Sequence, residues 1–351
     1  AMGQTAGSLG AQLEERYFRQ KVKLGEGSFG TVWRAVDRQS GKTVAIKQLD
    51  KASMPRRKVS RQDIEQEISL MRQCKHANIT QLLDTFEDGA SIYLALEYCD
   101  GGDFGDKIRE QGLGMDEKEV SAWMRQMCDA ICVLHTQRIC HRDIKPDNFM
   151  VHGRAVLKLA DFGLATLVPK RQLLTQPCGT PAFSAPEQHP SRWSNGYSFP
   201  VDMWALGVSM YMVMFGGKHP FLDDHNRLDD SLLLAGKLDF RDRQTPAGFL
   251  GLEGVGGTGL RFSEEARQLC KRMVDPDPSR RIAAAEAVYA PWLRISRPRR
   301  RSSSSPRQES PACKGTPPPC KGTPRMHRHR AGSNTPVLPP RLALTPTPVR
   351  H

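Results

Sequence analysis

The octapeptide His141-Arg142-Asp143-Ile144-Lys145-Pro146-Asp147-Asn148, followed thirteen residues later by Asp161-Phe162-Gly163, restricts this chain more than any other stretch. An acid that can orient a hydroxyl, a lysine and an asparagine at fixed offsets, and a second acid downstream are the polar parts needed to move a phosphoryl group from a nucleotide-metal complex. For them to act together, the fold has to bring two separate loops to one cleft.

With 351 residues the chain exceeds one ordinary small domain and accommodates a two-lobed unit with a tail. Residues 294–351 hold thirteen Lys/Arg and one Asp/Glu, a net of +12, which leaves residues 1–293 at +1. The basicity therefore belongs to the tail, and the sequence pI of about 9.5 is no ground for reading the whole protein as a nucleic-acid binder. Nine cysteines are scattered without C-x-x-C spacing, the pattern of reduced thiols in an intracellular protein of the cytoplasm or nucleus. The longest apolar run, 204–215, suits a buried core helix and falls short of a membrane span. No secretory leader is visible. Met2-Gly3 resembles a myristoylation start, but Ala1 precedes it and Gly7 stands where Ser or Thr is wanted, so it reads as a cloning remnant or a start artefact.

Residues 1–16 are polar and small and are expected to be flexible. From 17 to 49, β-formers alternate with turn residues, which predicts three antiparallel strands. A basic connector then leads to a helix with Ile64, Ile68 and Met71 on one face and Glu67 nearby. Two further strands, near 81–86 and 91–98, complete a small sheet. Beyond Asp100-Gly101-Gly102 the period becomes helical: Val120, Trp123, Met124, Met127, Cys128, Ile131 and Leu134 fall on one face and read as core. The 204–215 run is apolar on all sides, as in a helix at the centre of a larger lobe. A Gly-rich loop over 241–262, a helix over 262–274 capped by Ser263, and a last packed element at Pro291-Trp292-Leu293 follow. The tail holds twelve of the 25 prolines, too little apolar surface to offset ordering, and reads as disordered.

Gly25-Glu26-Gly27-Ser28-Phe29-Gly30-Thr31-Val32 has the G-x-G-x-x-G-x-V form, in which glycines let a strand-turn-strand backbone approach phosphate oxygens. The motif alone is weak: Gly254-Val255-Gly256-Gly257-Thr258-Gly259 fits the same spacing but lacks flanking strands, and reads as a loop. The first copy gains weight from Val44-Ala45-Ile46-Lys47, placed where a neighbouring strand aims an ammonium at the same phosphates. Lys47 or Glu67 alone would be an ordinary surface residue; as a pair each gives the other a reason to enter a low-dielectric cleft.

The ordered set of glycine loop, Val-Ala-Ile-Lys, helix glutamate, His-Arg-Asp-x-Lys-x-x-Asn, Asp-Phe-Gly, Ala185-Pro186-Glu187, Asp202-Met203-Trp204-Ala205-Leu206-Gly207 and Arg281 resembles the eukaryotic protein kinases over residues 17–293. The resemblance implies an α+β, two-lobed fold, with a small β-rich N-lobe (17–98) and a larger helical C-lobe (101–293), followed by the disordered basic Pro/Ser-rich tail. It implies ATP and Mg²⁺. Asp143 would orient the acceptor hydroxyl, Asn148 and Asp161 would hold Mg²⁺, and Lys145 would balance charge on the transferring group. Lys47, tied down by Glu67, would hold the α and β phosphates beneath the loop Gly25, Glu26, Gly27, Ser28, Phe29 and Gly30. Leu24, Val32 and Ala45 would sandwich adenine with Leu96 behind it, and the backbone of Glu97 and Cys99 would bond its edge. Glu187 with Arg281, and Asp202 beneath the catalytic loop, would be structural anchors, and His141 and Phe162 would serve packing.

Lys145, together with Cys178-Gly179-Thr180-Pro181, resembles serine/threonine kinases, and the lobe resembles their calcium/calmodulin-dependent group, although no EF-hand loop is present. Residues 161–187 would form the activation segment. Arg142 suggests a basic pocket awaiting a phosphate, with Thr175 the best-placed acceptor for an upstream kinase and Thr166 second, so Thr175→Ala is expected to lower activity. Asp103 and Asp147 stand where acids of similar kinases meet arginines upstream of the phosphosite, which suggests basophilic protein substrates; alternatively Asp103 serves the nucleotide ribose and Asp147 caps its loop. Met212, where strongly basophilic relatives carry an acid, weakens that preference. In the tail, Pro336-Val337-Leu338-Pro339-Pro340-Arg341 has the form that SH3 domains recognise. Several Ser/Thr-Pro sites there are candidate phosphoacceptors, beside an inert solubilising role. The rival readings are a catalytically silent scaffold and a nucleic-acid adaptor driven by the tail.

Overall fold

A computed structural model describes residues 9–27, 30–192, 196–240 and 262–294. The chain divides into two units, Ala1–Arg299 and Arg300–His351, and every described residue belongs to the first. The Gly-rich stretch at 254–259, the SH3-type motif at 336–341, and Ser28 and Phe29 of the glycine loop lie outside the described residues.

The chain opens with α1 (Leu9–Arg16), β1 (Tyr17–Gly27), β2 (Gly30–Asp37) and β3 (Thr43–Asp50), then α2 (Arg61–Gln73), β4 (Leu82–Glu87) and β5 (Ser91–Glu97). The five strands form one antiparallel sheet in the order β1-β2-β3-β5-β4. Register explains the near-continuous apolar run of β3. Val32 lies opposite Lys47, and Lys47 and Ala45 lie opposite Leu94 and Leu96, so these five share one face. Val44 and Ile46 occupy the other face, buried with Ala35, Tyr93, Ala95, Tyr17 and Leu13.

Over its described part, residues 9–16, the stretch expected to be flexible has structure. Residues 9–16 are helical, and Leu13, only 4% exposed, roofs the outer sheet face. Arg16 pairs with Asp37 at 3.3 Å, and Arg38 donates to the Glu14 carbonyl at 2.8 Å, fixing the helix to the β2–β3 turn. Burial of one leucine against a sheet that would otherwise be wet outweighs the polar composition around it.

The larger lobe begins with α3 (Phe104–Gln111) and α4 (Glu117–Thr136), then β6 (Ile139–Cys140), β7 (Phe149–His152), β8 (Val156–Leu159) and β9 (Thr166–Leu167). It continues through α5 (Pro200–Met214), α6 (Asp230–Ala235), α7 (Glu264–Met273) and α8 (Ala284–Ala287) to a last turn, Pro291–Arg294. Side-chain oxygens set the starts: Asp103, Asp116 and Ser263 accept from the third N–H of α3, α4 and α7. The predicted α4 face, Val120 to Leu134, is buried. So is nearly all of α5, which packs against α4 and α7. Trp292 and Leu293 close the core as expected.

Leu13→Ala is expected to lower unfolding stability by about 2–3 kcal/mol, the usual cost of a buried leucine truncation. A urea denaturation midpoint unchanged from wild type would mean that α1 does not roof the sheet.

Candidate active site

Lys47 leaves the inner face of β3 and donates from Nζ to Glu67 Oε1 of α2 at 2.7 Å and to Asp161 Oδ1 at 3.1 Å. The lysine and the glutamate are buried, at 8% and 4% exposure. Burial alone would lower the ammonium pKa, but the Asp161 and Glu67 charges outweigh it and the net shift is upward. Asp161 is held below its ordinary value, first by the Lys47 charge and against the opposing effect of burial. α2 is placed for this contact by a reciprocal cap, Ser60 accepting from the Asp63 N–H while Asp63 accepts from that of Ser60. Gln66 of the same helix donates to the Ala165 carbonyl at 2.9 Å.

The catalytic-loop groups converge on Asp143. Its Oδ1 accepts from Thr180 Oγ1 at 2.7 Å, and its Oδ2 accepts from Asn148 Nδ2 and Lys145 Nζ, each at 2.9 Å. Lys145 also donates to Thr180 Oγ1 at 2.8 Å. Burial raises the Asp143 pKa, but the Thr180 hydrogen bond and the Lys145 charge reverse the shift to a net lowering. The carboxylate is thus an ionised acceptor of hydrogen bonds, suited to orienting a hydroxyl. Asn148 directs Nδ2 to both the side chain and the carbonyl of Asp143, leaving Oδ1 as its metal-seeking atom. The Ala160 N–H donates to the Asn148 carbonyl at 2.8 Å, which ties the backbone just before Asp161 to that of Asn148. A carboxylate and an amide oxygen are the hard-oxygen donors that Mg²⁺ takes, so the chemistry of these two side chains fits the metal.

Asp202 builds the loop from below. Its carboxylate accepts the backbone N–H groups of His141 and Arg142, each at 2.9 Å, and meets His135 Nε2 at 2.9 Å. Arg142 and Asp161 have φ of +67° and +56°, a left-handed conformation that costs a non-glycine residue about 1–2 kcal/mol. The Asp202 bonds hold the first of them there. Glu187 and Arg281 form the expected bidentate pair at 2.7 and 2.9 Å, and Arg281 also donates to the Pro200 and Asp275 carbonyls. His141 packs edge-on to Phe162 at 5.4 Å.

The nucleotide-side residues also gather. Val32 and Leu24 are half-buried and Ala45 is buried; Ala45 sits opposite Leu96. Glu97 is fixed by Lys158 at 3.0 Å. Cys99 is buried, which pushes its thiol up to about 12. Past it, the Gly101 and Val151 N–H groups donate to the Val151 and Gly102 carbonyls at 2.9 and 2.8 Å, tying the connection to β7. The loop glycines serve different ends. A Cβ on Gly25 would meet nothing within 4 Å, whereas one on Gly30 would overlap the Gln48 carbonyl of β3. Gly25 therefore offers open backbone to a ligand, and Gly30 allows close strand packing. Glu26 points to solvent, paired with Lys23.

The sequence of residues 18–293 matches the protein kinase domain family. The chain belongs to the protein kinase family. It is 34% identical over 272 residues to myosin light chain kinase family member 4 of Homo sapiens, covering 77% of this chain and 64% of that protein. It is 34% identical over 274 residues to CBL-interacting protein kinase 9 of Oryza sativa subsp. japonica (77% and 55%), and 36% identical over 287 residues to the serine/threonine-protein kinase DCLK2 of Mus musculus (80% and 35%). The chain spans between a third and two thirds of the length of these curated relatives.

Three residues of this kinase site escaped the sequence reading of their roles. Thr180, seen there only as part of a specificity motif, sits on Asp143. Arg109 occupies the acidic patch: its Nη2 lies 2.7 Å from Asp106, 3.6 Å from Asp147 and 3.8 Å from Asp103. Tyr197 buttresses the activation segment from outside it. Arg142, expected to line a basic pocket, is partly engaged by neighbouring neutral oxygens. Its Nε donates to the Leu164 carbonyl at 2.6 Å and its Nη1 to the Tyr197 hydroxyl at 3.4 Å. No single motif could have shown these contacts, since each joins residues far apart in sequence.

Asp202 is fully buried; burial would raise its pKa, and the hydrogen bond from His135 leads the groups that reverse this to a net lowering. A carboxyl whose folded pKa is lowered stabilises the protein above its unfolded value near 3.9, and that contribution is lost as pH falls through the lower folded value. Asp202→Asn is expected to cost about 3 kcal/mol at pH 7, with the difference from wild type shrinking below about pH 4. Urea midpoints across pH would check this, and a difference that persists undiminished into strong acid would contradict it.

Proposed function

We propose that this chain is a serine/threonine protein kinase that transfers the γ-phosphoryl group of ATP, with Mg²⁺, to Ser/Thr hydroxyls of protein substrates. The observation that carries the reading is the Lys47 ammonium bonded at once to Glu67 and Asp161, a cation and a metal-seeking carboxylate brought together in one cleft.

In this reading Lys47 holds the α and β phosphates under the backbone of residues 25–30, and Leu24, Val32, Ala45 and Leu96 enclose the adenine. The Glu97 and Cys99 backbone bonds the adenine edge. Asn148 Oδ1 and Asp161 hold Mg²⁺, which when bound neutralises charge on the phosphates. Asp143 accepts the hydrogen of the substrate hydroxyl and points its oxygen at the γ-phosphorus. As the new O–P bond forms and the bond to the β,γ-bridging oxygen breaks, the proton passes to Asp143, and Lys145 offsets charge on the transferred group. Thr180, anchored to both Lys145 and Asp143, holds the substrate side of the cleft in place.

Asp103 accepts the Asp106 N–H at 2.8 Å, so its ribose role shares the residue with helix capping. Basophilic selection would use Asp103 and Asp147, but with Arg109 already on both carboxylates it is weak. Described cysteines are unpaired, in keeping with an intracellular setting, and no helix among the described residues is long and apolar enough to cross a membrane. The SH3-type motif at 336–341 rests on its sequence alone.

The silent-scaffold alternative would be marked by loss of Lys47, Asp143 or Asp161, and all three are present. Phosphorylation of a degenerate Ser/Thr peptide library by the full chain tests the reading. Asp143→Asn is expected to reduce turnover about 10²- to 10⁴-fold; equal incorporation by variant and wild type would remove Asp143 from the chemistry. In the same library Arg109→Ala is expected to raise selection for upstream arginine about two- to fivefold, the scale of an exposed ion pair. An unchanged profile would mean that the patch does not read substrates.

A further inference from the structure

Two arginines at the start of the catalytic loop direct donors to the activation segment itself. Arg142 donates to the Leu164 carbonyl. Arg138, also left-handed at φ +61°, donates from Nε to the Val168 carbonyl at 3.0 Å and from Nη2 to the Pro169 carbonyl at 2.9 Å. Thr166, one of the two expected phosphoacceptors, lies within β9 opposite Cys140. Thr175, the other, is exposed.

Downstream of these arginines, the segment is fastened at one buried residue that lies outside it in sequence. Tyr197 is only 2% exposed and forms a two-bond antiparallel bridge with Leu174, at 2.8 and 2.9 Å. Its hydroxyl donates to the Gln176 carbonyl at 2.6 Å, meets Cys178 Sγ at 3.6 Å and accepts from Arg142 at 3.4 Å. One residue thus holds both flanks of Thr175, Leu174 through its backbone and Gln176 through its hydroxyl, and the same hydroxyl meets Cys178 and the arginine beside the catalytic aspartate. The bridge also depends on Gly196, at φ +87°, where a Cβ would sit 2.5 Å from the Leu174 carbonyl oxygen. From the fastened strand the chain runs directly to Thr180, whose hydroxyl contacts Asp143.

We propose that Tyr197 is the positioning residue of this kinase, holding the activation segment in working shape without a phosphate on Thr175. The inference rests on the kinase reading above and replaces the expectation that Thr175 must be modified. A neutral hydroxyl can do the positioning work of a phosphate here because it joins the Gln176 carbonyl to Arg142, while Arg142 and Arg138 also donate to carbonyl oxygens of the segment itself. Loss of the hydroxyl would leave the Gln176 carbonyl without its donor and the Arg142 fork with one partner fewer.

The test uses the full chain, treated with phosphatase and shown by mass spectrometry to be phosphate-free at Thr175. Three variants are compared with wild type: Thr175→Ala, Tyr197→Phe, which keeps the ring in its pocket, and Gly196→Ala, which attacks the same bridge from the backbone. Wild type and Thr175→Ala are expected to match untreated protein within about twofold in kcat and in peptide KM. Tyr197→Phe is expected to raise peptide KM or lower kcat by about tenfold, the scale of one buried hydrogen bond, with Mg²⁺·ATP affinity unchanged. It is also expected to speed trypsin cleavage after Lys170 and Arg171, as is Gly196→Ala. A tenfold loss in Thr175→Ala, or a Tyr197→Phe variant with native kinetics and native trypsin resistance, would overturn the proposal. If wild type phosphorylates no peptide, the kinase reading fails, while the trypsin rates still decide whether Tyr197 fastens the segment.

Discussion

A buried ammonium between two carboxylates joins three parts of this protein that the chain leaves far apart. Lys47 belongs to the sheet, Glu67 to the helix that crosses it, and Asp161 to the loop after β8 in the other lobe. Lys47 and Glu67 are buried, and neither charge is stable alone in that setting, since taking an ion out of water costs several kcal/mol unless a partner compensates; Asp161, more exposed, adds a second counter-charge from the other lobe. The two buried positions therefore depend on each other. The capped start of α2 and the alternation of β3 follow from this requirement: one orients Glu67 and the other puts Lys47 on the inner face. The outer face of β3 must then be covered as well, which α1 does through Leu13.

The larger lobe solves a different problem, that of holding a loop in a conformation it would not adopt unaided. Asp202 accepts two consecutive backbone N–H groups at His141 and Arg142, and α5, which carries it, is buried on all sides. A rigid helix thereby fixes a left-handed turn, and the turn aims Asp143. Lys145, Asn148 and Thr180 then crowd the same carboxylate with donors, so its ionised state and its direction are set together. The Glu187–Arg281 pair fastens the far end of the activation segment to the same body, which keeps Thr180 within reach of Asp143.

How much of this was legible in the sequence depended on the range of the interaction. The strands, the α4 face from Val120 to Leu134, the Ser263 cap and the motif residues were readable because period and turn chemistry are local. The Lys47–Glu67 and Glu187–Arg281 pairs were readable only through resemblance, since nothing local says that residues 20 or 94 positions apart meet. Leu13 was missed because one leucine in a polar stretch carries no periodic signal; its partner is a sheet face built by four strands. Tyr197 and Arg109 were missed for the same reason. An arginine three residues from Asp106 looks like a solvated helix pair, and only the fold brings Asp103 and Asp147 to it.

The central claim is that the Lys47, Asp161 and Asn148 atoms form one site for a nucleotide with its metal, and calorimetric titration of ATP into the full chain with and without Mg²⁺ tests it most directly. The account predicts saturable binding that tightens markedly with Mg²⁺ in wild type, and loses that dependence in Asp161→Asn while the variant remains folded. Binding of ATP that is indifferent to Mg²⁺ in wild type, or equally Mg²⁺-dependent in the variant, would contradict it.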